Sequence, residues 1–306
     1  MNGLLAALQR ERPLQIAGAI NAYAALLAQD TGFRALYLSG SGVASASFGL
    51  PDLAMTTLSE VVAETRRITA ASDLPLLVDV DTGFGDGLGI ARTVQEITRA
   101  GAAGVHLEDQ VAAKRCGHRL GKVLVSRTEM EDRIRAAVAV RGSGGLLIMA
   151  RTDALAVEGL ERTVERARAY AAAGADAIFF EAAVELSQYA RVAAAVGVPV
   201  LANMTEFGVS PLFTLAELRA HGVAMVLYPL TAFRAMSHAA QRAYRVLREQ
   251  GTQHALLAEL QPRSELYRIL DYEAYERRMD ALLRRRRGVD LAAERRERPS
   301  AEDAAE

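Results

Sequence analysis

A chain of 306 residues is long for one ordinary domain but fits a barrel of alternating strands and helices. Apolar residues make up 51%, enough for a large core, and a formal net charge of −1 excludes a strongly basic surface for nucleic acid or anionic membrane. One cysteine forms no internal disulfide, the opening MNGLLAALQRERP breaks at Arg10 and Arg12 too soon for a signal peptide, and no run approaches the ~18 apolar residues of a membrane span, so the expectation is a cytoplasmic protein with neither a nucleic-acid nor a membrane partner.

In chain order, strands are expected at LQIAGAI, ALYLS, PLLVDVD, GVHLED, LLIMART, AIFFE, PVLANM and AMVLYP. None alternates cleanly, which suits strands covered on both faces. Amphipathic stretches lie between them: LSEVVAETRRITAAS, ARTVQEITRA, SRTEMEDRIRAAVAV and GLERTVERARAYAAA. Several stop at a glycine just before the next strand, as in RAGAAGVHLED and RAHGVAMVLYP. Such strand–helix units most simply close into an α/β fold of the (β/α)8 TIM-barrel type. Beyond the last strand, TAFRAMSHAAQRAYRVLREQ and QHALLAELQPRSELYRILDYEAYERRMDALLRRRR predict a C-terminal helical extension long enough to pack on a neighbouring subunit. Residues 1–287 are therefore read as a single barrel domain with C-terminal helices. Residues 288–306, charged and poor in large apolar side chains, are read as a disordered tail. The run Arg284 to Arg287 suits a solvated helix end.

Polar residues mark the expected strand ends: Ser39, Asp79 and Asp81, Glu108 and Asp109, Arg151 and Asp153, Glu181, and Asn203. A barrel gathers all of them at one mouth, whereas an open doubly wound sheet would use only those near its switch point. Asp79 and Asp81, two apart, point to one side and suit a hard divalent cation, magnesium before others. Gly83, Gly85, Gly87 and Gly89 give tight turns but no G-x-G-x-x-G, since position 88 is leucine, and no phosphate-binding loop is present.

The stretch VAAKRCGHRLGKV holds the only cysteine, Cys116, and both lysines of the chain, Lys114 and Lys122. Cations lower a thiol's pKa, so Lys114, Arg115, His118 and Arg119 are expected to favour the Cys116 thiolate. Lysine also titrates where arginine does not, which suits a site that moves protons. Guanidinium groups bind carboxylates bidentately, and YLSGSG offers amides and the hydroxyls of Ser39 and Ser41. Taken residue by residue, this is a metal-dependent site for a small polycarboxylate with a proton-transferring thiol.

KRCGH at Lys114 to His118 resembles the signature of the isocitrate lyase and phosphoenolpyruvate mutase superfamily. YLSGSGVA, GLPDLAMTTLSEV, VDVDTGFG, HLEDQVAAKRCGH, IMARTDALAVEGL, LANMTEFG and VLYPLTAFRAM extend the resemblance from about Leu14 to Tyr275. Isocitrate lyases proper tend to carry KKCGH and a longer chain with an inserted domain, which Arg115 and the present length argue against. The resemblance implies a barrel whose last helix swaps between subunits of a homotetramer. It implies magnesium on Asp79 and Asp81, with Glu108 reaching the metal through water. It implies a small tricarboxylate substrate bound by Ser39, Gly40, Ser41, Gly117, Arg151, Glu181, Asn203, Met204, Thr205, Arg234 and Arg263. The catalytic set is Cys116 as general acid, with Lys114, His118 and Tyr37, the last as base or hydrogen-bond partner of the substrate hydroxyl. The implied reaction is retro-aldol-like cleavage of 2-methylisocitrate to pyruvate and succinate. Other acid lyases or hydrolases of the superfamily, and a catalytically silent barrel that binds or assembles, are the alternatives. Three departures touch the loop and pocket wall: Ser41 in place of glycine, HRLGK in place of HRPNK, and FFEA in place of FPEA.

Overall fold

The computed structural model describes residues 3–142 and 145–287. Eight strands form a closed barrel in sequence order: β1 (Leu14–Gly18), β2 (Ala35–Leu38), β3 (Leu76–Asp79), β4 (Gly104–Glu108), β5 (Leu147–Thr152), β6 (Ala177–Phe180), β7 (Val200–Asn203) and β8 (Met225–Tyr228). Every neighbouring pair is parallel, and β8 returns to β1 with Leu14 opposite Met225. Each falls within a run expected from the sequence.

The strands lack visible alternation because both of their faces are apolar. Leu14, Ile16, Tyr37, Leu77, Met149, Phe179, Leu201 and Leu227 pack together in one buried set inside the barrel. Leu36, Val78, Leu107, Ile148, Phe180, Ala202 and Val226, the intervening residues, pack in a second set with the surrounding helices. Side chains two apart share a face of a strand. The inward parity therefore runs on from Leu77 to Asp79, from His106 to Glu108, from Met149 to Arg151 and Asp153, from Phe179 to Glu181, and from Leu201 to Asn203. Apolar layers fill the barrel body, and the same parity turns polar at the C-terminal mouth.

The opposite end is closed by a helix not foreseen in the sequence, Gly3–Arg10. Its Leu4, Ala7 and Leu8 are buried with the inner set. Gly104 makes room for it, since a Cβ there would lie 2.7 Å from Leu4 Cδ1. The outer helices include the expected Leu58–Ala71, Gly87–Arg99, Arg127–Val140 and Leu160–Ala172. Local capping fixes the starts of two of them: Thr57 and Glu60 form a capping box, and Ser126 accepts from the Glu129 amide at 3.1 Å. Ala22–Asp30, Leu186–Val196 and the short Leu215–Ala220 between β7 and β8, also unforeseen, add to the outer helices. After β2 the chain turns at once into a short helix, Gly40–Gly42, and a π-helical turn, Val43–Ser47. That turn presents the Gly40 amide to β3. Gly83 and Gly85, with φ of +106° and +143°, serve the tight turn after β3.

The chain divides into two units, Met1–Tyr244 and Arg245–Glu306. The helix Thr231–Gln250 crosses that boundary and has no buried residue in the single chain. The second unit contains a 3-10 turn, His254–Glu259, and helices Arg263–Ile269 and Tyr272–Arg287, where Tyr267 and Tyr272 stack with centroids 4.2 Å apart. The tail expected at residues 288–306 lies outside the described residues. Among the described residues no helix is long and apolar enough to cross a membrane.

Candidate active site

Tyr37, Asp79 and His106 meet at the top of β2, β3 and β4. Tyr37 Oη donates to Asp79 Oδ2 at 3.3 Å and lies 2.9 Å from His106 Nε2. Burial pulls the His106 imidazole down to about 4, so at neutral pH it is uncharged and shares a hydrogen bond with the phenol. Asp79 also accepts from the amides of Gly40 and Asp81, each at 3.0 Å. Burial pushes its carboxyl up, but His106, Lys114, Arg151 and the Asp81 amide outweigh this and hold it at about 2. Asp81 behaves oppositely: burial, then the Asp79 charge, raise it to about 6. Its backbone sits at φ +50°, a left-handed conformation that strains a non-glycine residue. Lys114 is buried between Asp52, with which it pairs closely, and Asp81 Oδ1 at 2.8 Å. Burial alone would lower the amine, yet Asp81, Glu108, Asp79 and Asp52 hold it well above its usual range.

Glu108 completes the acidic side. Its carboxyl is raised by burial, its Oε2 lies 3.3 Å from Arg151 Nε, and its Oε1 is buried with no hydrogen-bond partner. Asp81 Oδ1 is also buried without a hydrogen bond, facing Lys114 only as an ion pair. Among the described residues no three His, Cys, Asp or Glu side chains are set to hold a metal directly. A cation here would take one or two carboxylates and fill its shell with water and substrate oxygens. That is magnesium's habit, and the donors are all hard oxygens, so the residues fit the ion.

Arg151 is the hub of the opposite wall. Nε and Nη2 donate to Asp153 Oδ2 and Oδ1 at 3.0 and 3.3 Å, and Nη2 lies 3.4 Å from Glu181 Oε1. Its guanidinium also sits 5.2 Å from the Phe179 ring centroid. Among the described residues none takes Nη1. Asn203 Nδ2 donates to Glu181 Oε2 at 3.1 Å, and Asn203 Oδ1 is buried without a partner. Ser39, Ser41 and Thr205 line the same pocket as Arg151, Glu181 and Arg234. Their hydroxyls make no hydrogen bond to any described residue. The pocket thus offers a free guanidinium donor and three free hydroxyls, a donor set for carboxylates.

Residues 111–125 form a strap over this pocket. Its base is pinned by Val111 N to Val123 O at 3.0 Å and Val125 N to Asp109 O at 2.9 Å. The strap is folded down: a Cβ on Gly117 would lie 2.3 Å from Glu181 Oε1 and 2.4 Å from Arg151 Nη2. Beside it, His118 Nε2 lies 3.3 Å from Glu181 Oε1, while Nδ1 accepts from the Val209 amide at 3.1 Å. Burial lowers its pKa, so His118 is a neutral imidazole fixed by two contacts. Asp52, Cys116 and His118 line both the closed pocket and the larger cleft outside, so the strap tip is the wall between them.

Three expectations need correction. The Cys116 thiol is not lowered by its cationic neighbours. Burial pushes it up, against a hydrogen bond from the His118 amide and the field of Arg151. Lys114 is committed to Asp52 and Asp81, and the Arg115 guanidinium donates to Leu120 O at 3.3 Å. Nor is Lys114 a titrating group; it is a locked ammonium. Met204, expected against substrate, is buried in the outer core set, because it follows the inward-facing Asn203 and takes the opposite parity.

The remaining expected residues lie as follows. Tyr37, Ser39, Ser41, Asp79, Lys114, Cys116, Gly117, His118, Arg151, Glu181, Asn203, Thr205 and Arg234 converge on one pocket. Gly40 touches the carboxylates of Asp79 and Asp81 from behind, with 3.2 Å from its Cβ position to each. Arg234 is half exposed, 3.6 Å from Glu206 and 5.5 Å over Phe207. Arg263 opens a helix of the C-terminal unit and is exposed. Asp52, His106 and Lys122 were not foreseen as site residues, and Asp153 was foreseen only as a polar strand end at the mouth. Asp52 and His106 stood within motifs GLPDLA and HLED, and Lys122 stood out as one of two lysines.

A parallel barrel that gathers these groups at its C-terminal mouth has the arrangement of a barrel enzyme. The chain belongs to the phosphoenolpyruvate phosphomutase family, whose model matches residues 5–248. It is 58% identical to a 2-methylisocitrate lyase of Salmonella typhimurium, over 92% of this chain and 96% of that one. It is 46% identical to one of Aeropyrum pernix, over 85% and 84%. Among solved structures it is similar to 2,3-dimethylmalate lyase, at 34% identity with a TM-score of 0.84 over 94% of this chain and 97% of that one. It is also similar to a phosphonopyruvate hydrolase complexed with oxalate and Mg++, at 29% identity with a TM-score of 0.80 over 91% and 97%.

Proposed function

We propose that this chain is a carbon–carbon lyase that cleaves 2-methylisocitrate to pyruvate and succinate, in the methylcitrate route of propionate breakdown in the cytoplasm. The observation that carries the reading is the convergence of a protonated thiol, a partly free arginine and a carboxylate pair on one pocket, in a chain whose close relatives bear that lyase's name.

Arg151, through Nη1, and the hydroxyls of Ser39, Ser41 and Thr205 bind substrate carboxylates, with Arg234 as a further cationic group. Glu181 and Asn203 orient Arg151 and His118. Asp79 and Asp81 would hold magnesium, with Glu108 behind a water; when bound, the ion offsets negative charge on the substrate's carboxylate and hydroxyl oxygens. Tyr37 is a poor base, because burial and the Asp79 charge raise its phenol well above 10, so it serves as a hydrogen-bond donor. The substrate hydroxyl gives its proton to a water of the pocket, the C–O bond becomes the carbonyl of pyruvate, and the C2–C3 electron pair passes to the succinate half as an aci-carboxylate. Cys116 delivers its proton to that carbon. A thiol kept neutral by burial is in the right state for this. The bare, amphipathic helix Thr231–Gln250 supports the companion proposal of a helix-swapped homotetramer.

The test offers 2-methylisocitrate, isocitrate, 2,3-dimethylmalate and oxaloacetate in parallel and follows the product each would give: pyruvate with succinate, glyoxylate with succinate, pyruvate with propionate, and oxalate with acetate. The proposal requires kcat/KM for 2-methylisocitrate to exceed the others. Preference for any of the other three refutes it in favour of the corresponding lyase or hydrolase.

A further inference from the structure

We propose that Lys122 is a positioning residue that pins the Cys116 turn onto the barrel. Its ammonium is buried, and it donates to Gly117 O at 2.5 Å and to Asp153 Oδ1 at 3.1 Å. One charged group therefore ties three segments: the turn that carries the thiol, the arm that returns from it and carries Lys122 itself, and the rim of β5.

The far end of this tie is fixed. The Asp153 amide donates to Asp109 Oδ1 at 2.9 Å, and Asp109 Oδ2 accepts from Thr152 Oγ1 at 2.8 Å and Tyr170 Oη at 2.9 Å. Asp153 already receives two bonds from Arg151. Neutralising Asp153 thus does not require Lys122; what Lys122 adds is the bond to the carbonyl next to Cys116. With that bond made, Gly117 rests on Arg151 and Glu181, and the thiol faces the pocket that Arg151 lines. Without it the Gly117 carbonyl is buried and unpaired in the down position, a penalty that is relieved when the strap lifts into water. The choice of lysine follows from size. A compact ammonium fits between a carbonyl and a carboxylate, whereas a planar guanidinium needs more room, and the other cations of this chain, Lys114 excepted, are arginines.

The inference rests on the proposed role of Cys116 but not on the identity of the substrate. Its test uses the thiol itself, the only one in the chain. Iodoacetamide alkylation of Cys116 in the full-length protein is followed by mass spectrometry, beside kcat and KM for 2-methylisocitrate and a circular-dichroism melt. Lys122→Met is expected to speed alkylation about tenfold or more and to lower kcat/KM by a similar factor, consistent with loss of one buried hydrogen-bonded charge. A purely structural role would lower the melting temperature and leave alkylation of the folded protein unchanged. Alkylation of folded Lys122→Met within twofold of wild type overturns the proposal. If that variant does not fold, Lys122→Arg decides by the same criterion: faster alkylation supports the tie, and the wild-type rate overturns it. Absence of pyruvate from the wild type would count against the substrate assignment and leave the alkylation comparison intact.

Discussion

Gly117→Ala tests the closed arrangement of the strap. The added methyl carbon would meet Glu181 Oε1 at 2.3 Å, Arg151 Nη2 at 2.4 Å and Glu181 Cγ at 2.6 Å. Ordinary carbon contacts begin near ~3.5 Å, so about 1 Å of movement is needed. Neither neighbour yields cheaply. Arg151 is held by Asp153 and Glu108, and Glu181 by Asn203 and His118. The strap must give instead, carrying Cys116 about 1 Å from its place. A misplacement of that size costs about 10²-fold in rate, or about 2.7 kcal/mol of transition-state stabilisation. The backbone at Gly117 is not in the left-handed region, so the effect is steric and the barrel should melt as wild type does. The control is Gly87→Ala, at the first turn of the helix Gly87–Arg99, where a Cβ meets nothing within 4 Å. Steady-state kinetics on 2-methylisocitrate is the assay. If Gly117→Ala stays within threefold of wild type while both variants melt normally, the packed-down strap is not the catalytic arrangement.

Cys116→Ser should lower kcat by about 10²–10⁴-fold, the usual worth of a general acid, with a smaller change in KM because Arg151 and the hydroxyls still bind substrate. The wild-type rate should fall as pH rises through a thiol pKa lying above the ordinary value, because the acid form is the working one, and that alkaline limb should be absent in the variant. Prolonged EDTA treatment should abolish turnover and added magnesium restore it, as the buried Asp79, Asp81 and Glu108 cluster requires; full activity in chelator would contradict the metal assignment. Leu4→Ala, which empties part of the plug at the closed end of the barrel, should cost about 2–5 kcal/mol in denaturant unfolding with kcat unchanged. Light scattering should give four copies of the chain, and a monomer at assay concentration would refute the swap.

The strands were legible because parallel barrels bury both faces of each strand, so continuous apolar runs such as LLIMA mark them directly. The mouth was legible because charges at the ends of such runs have nowhere else to go. Met204 shows the limit. At a strand end a single step reverses the face, and an apolar residue beside Asn203 gives no sign of which side it takes. Cys116 shows another. Sequence proximity to Lys114 and Arg115 says nothing of where their charges are spent, and Asp52, Asp81 and the Leu120 carbonyl take them. Asp52 and His106 were passed over because their importance lies in pairings 62 and 69 residues away, with Lys114 and Tyr37. The helix Gly3–Arg10 was passed over because eight residues show too little of a stripe to distinguish a plug from a loose end.

The most direct measurement of the central claim is proton NMR of the reaction run in D2O with purified protein, magnesium and 2-methylisocitrate. Cleavage between C2 and C3 with protonation by an exchanged Cys116 thiol predicts pyruvate and succinate in equal amounts, the succinate carrying one deuterium. Cys116→Ser should slow the appearance of that signal by about 10²-fold or more. Unchanged 2-methylisocitrate, while isocitrate, 2,3-dimethylmalate or oxaloacetate is consumed under the same conditions, would contradict the account.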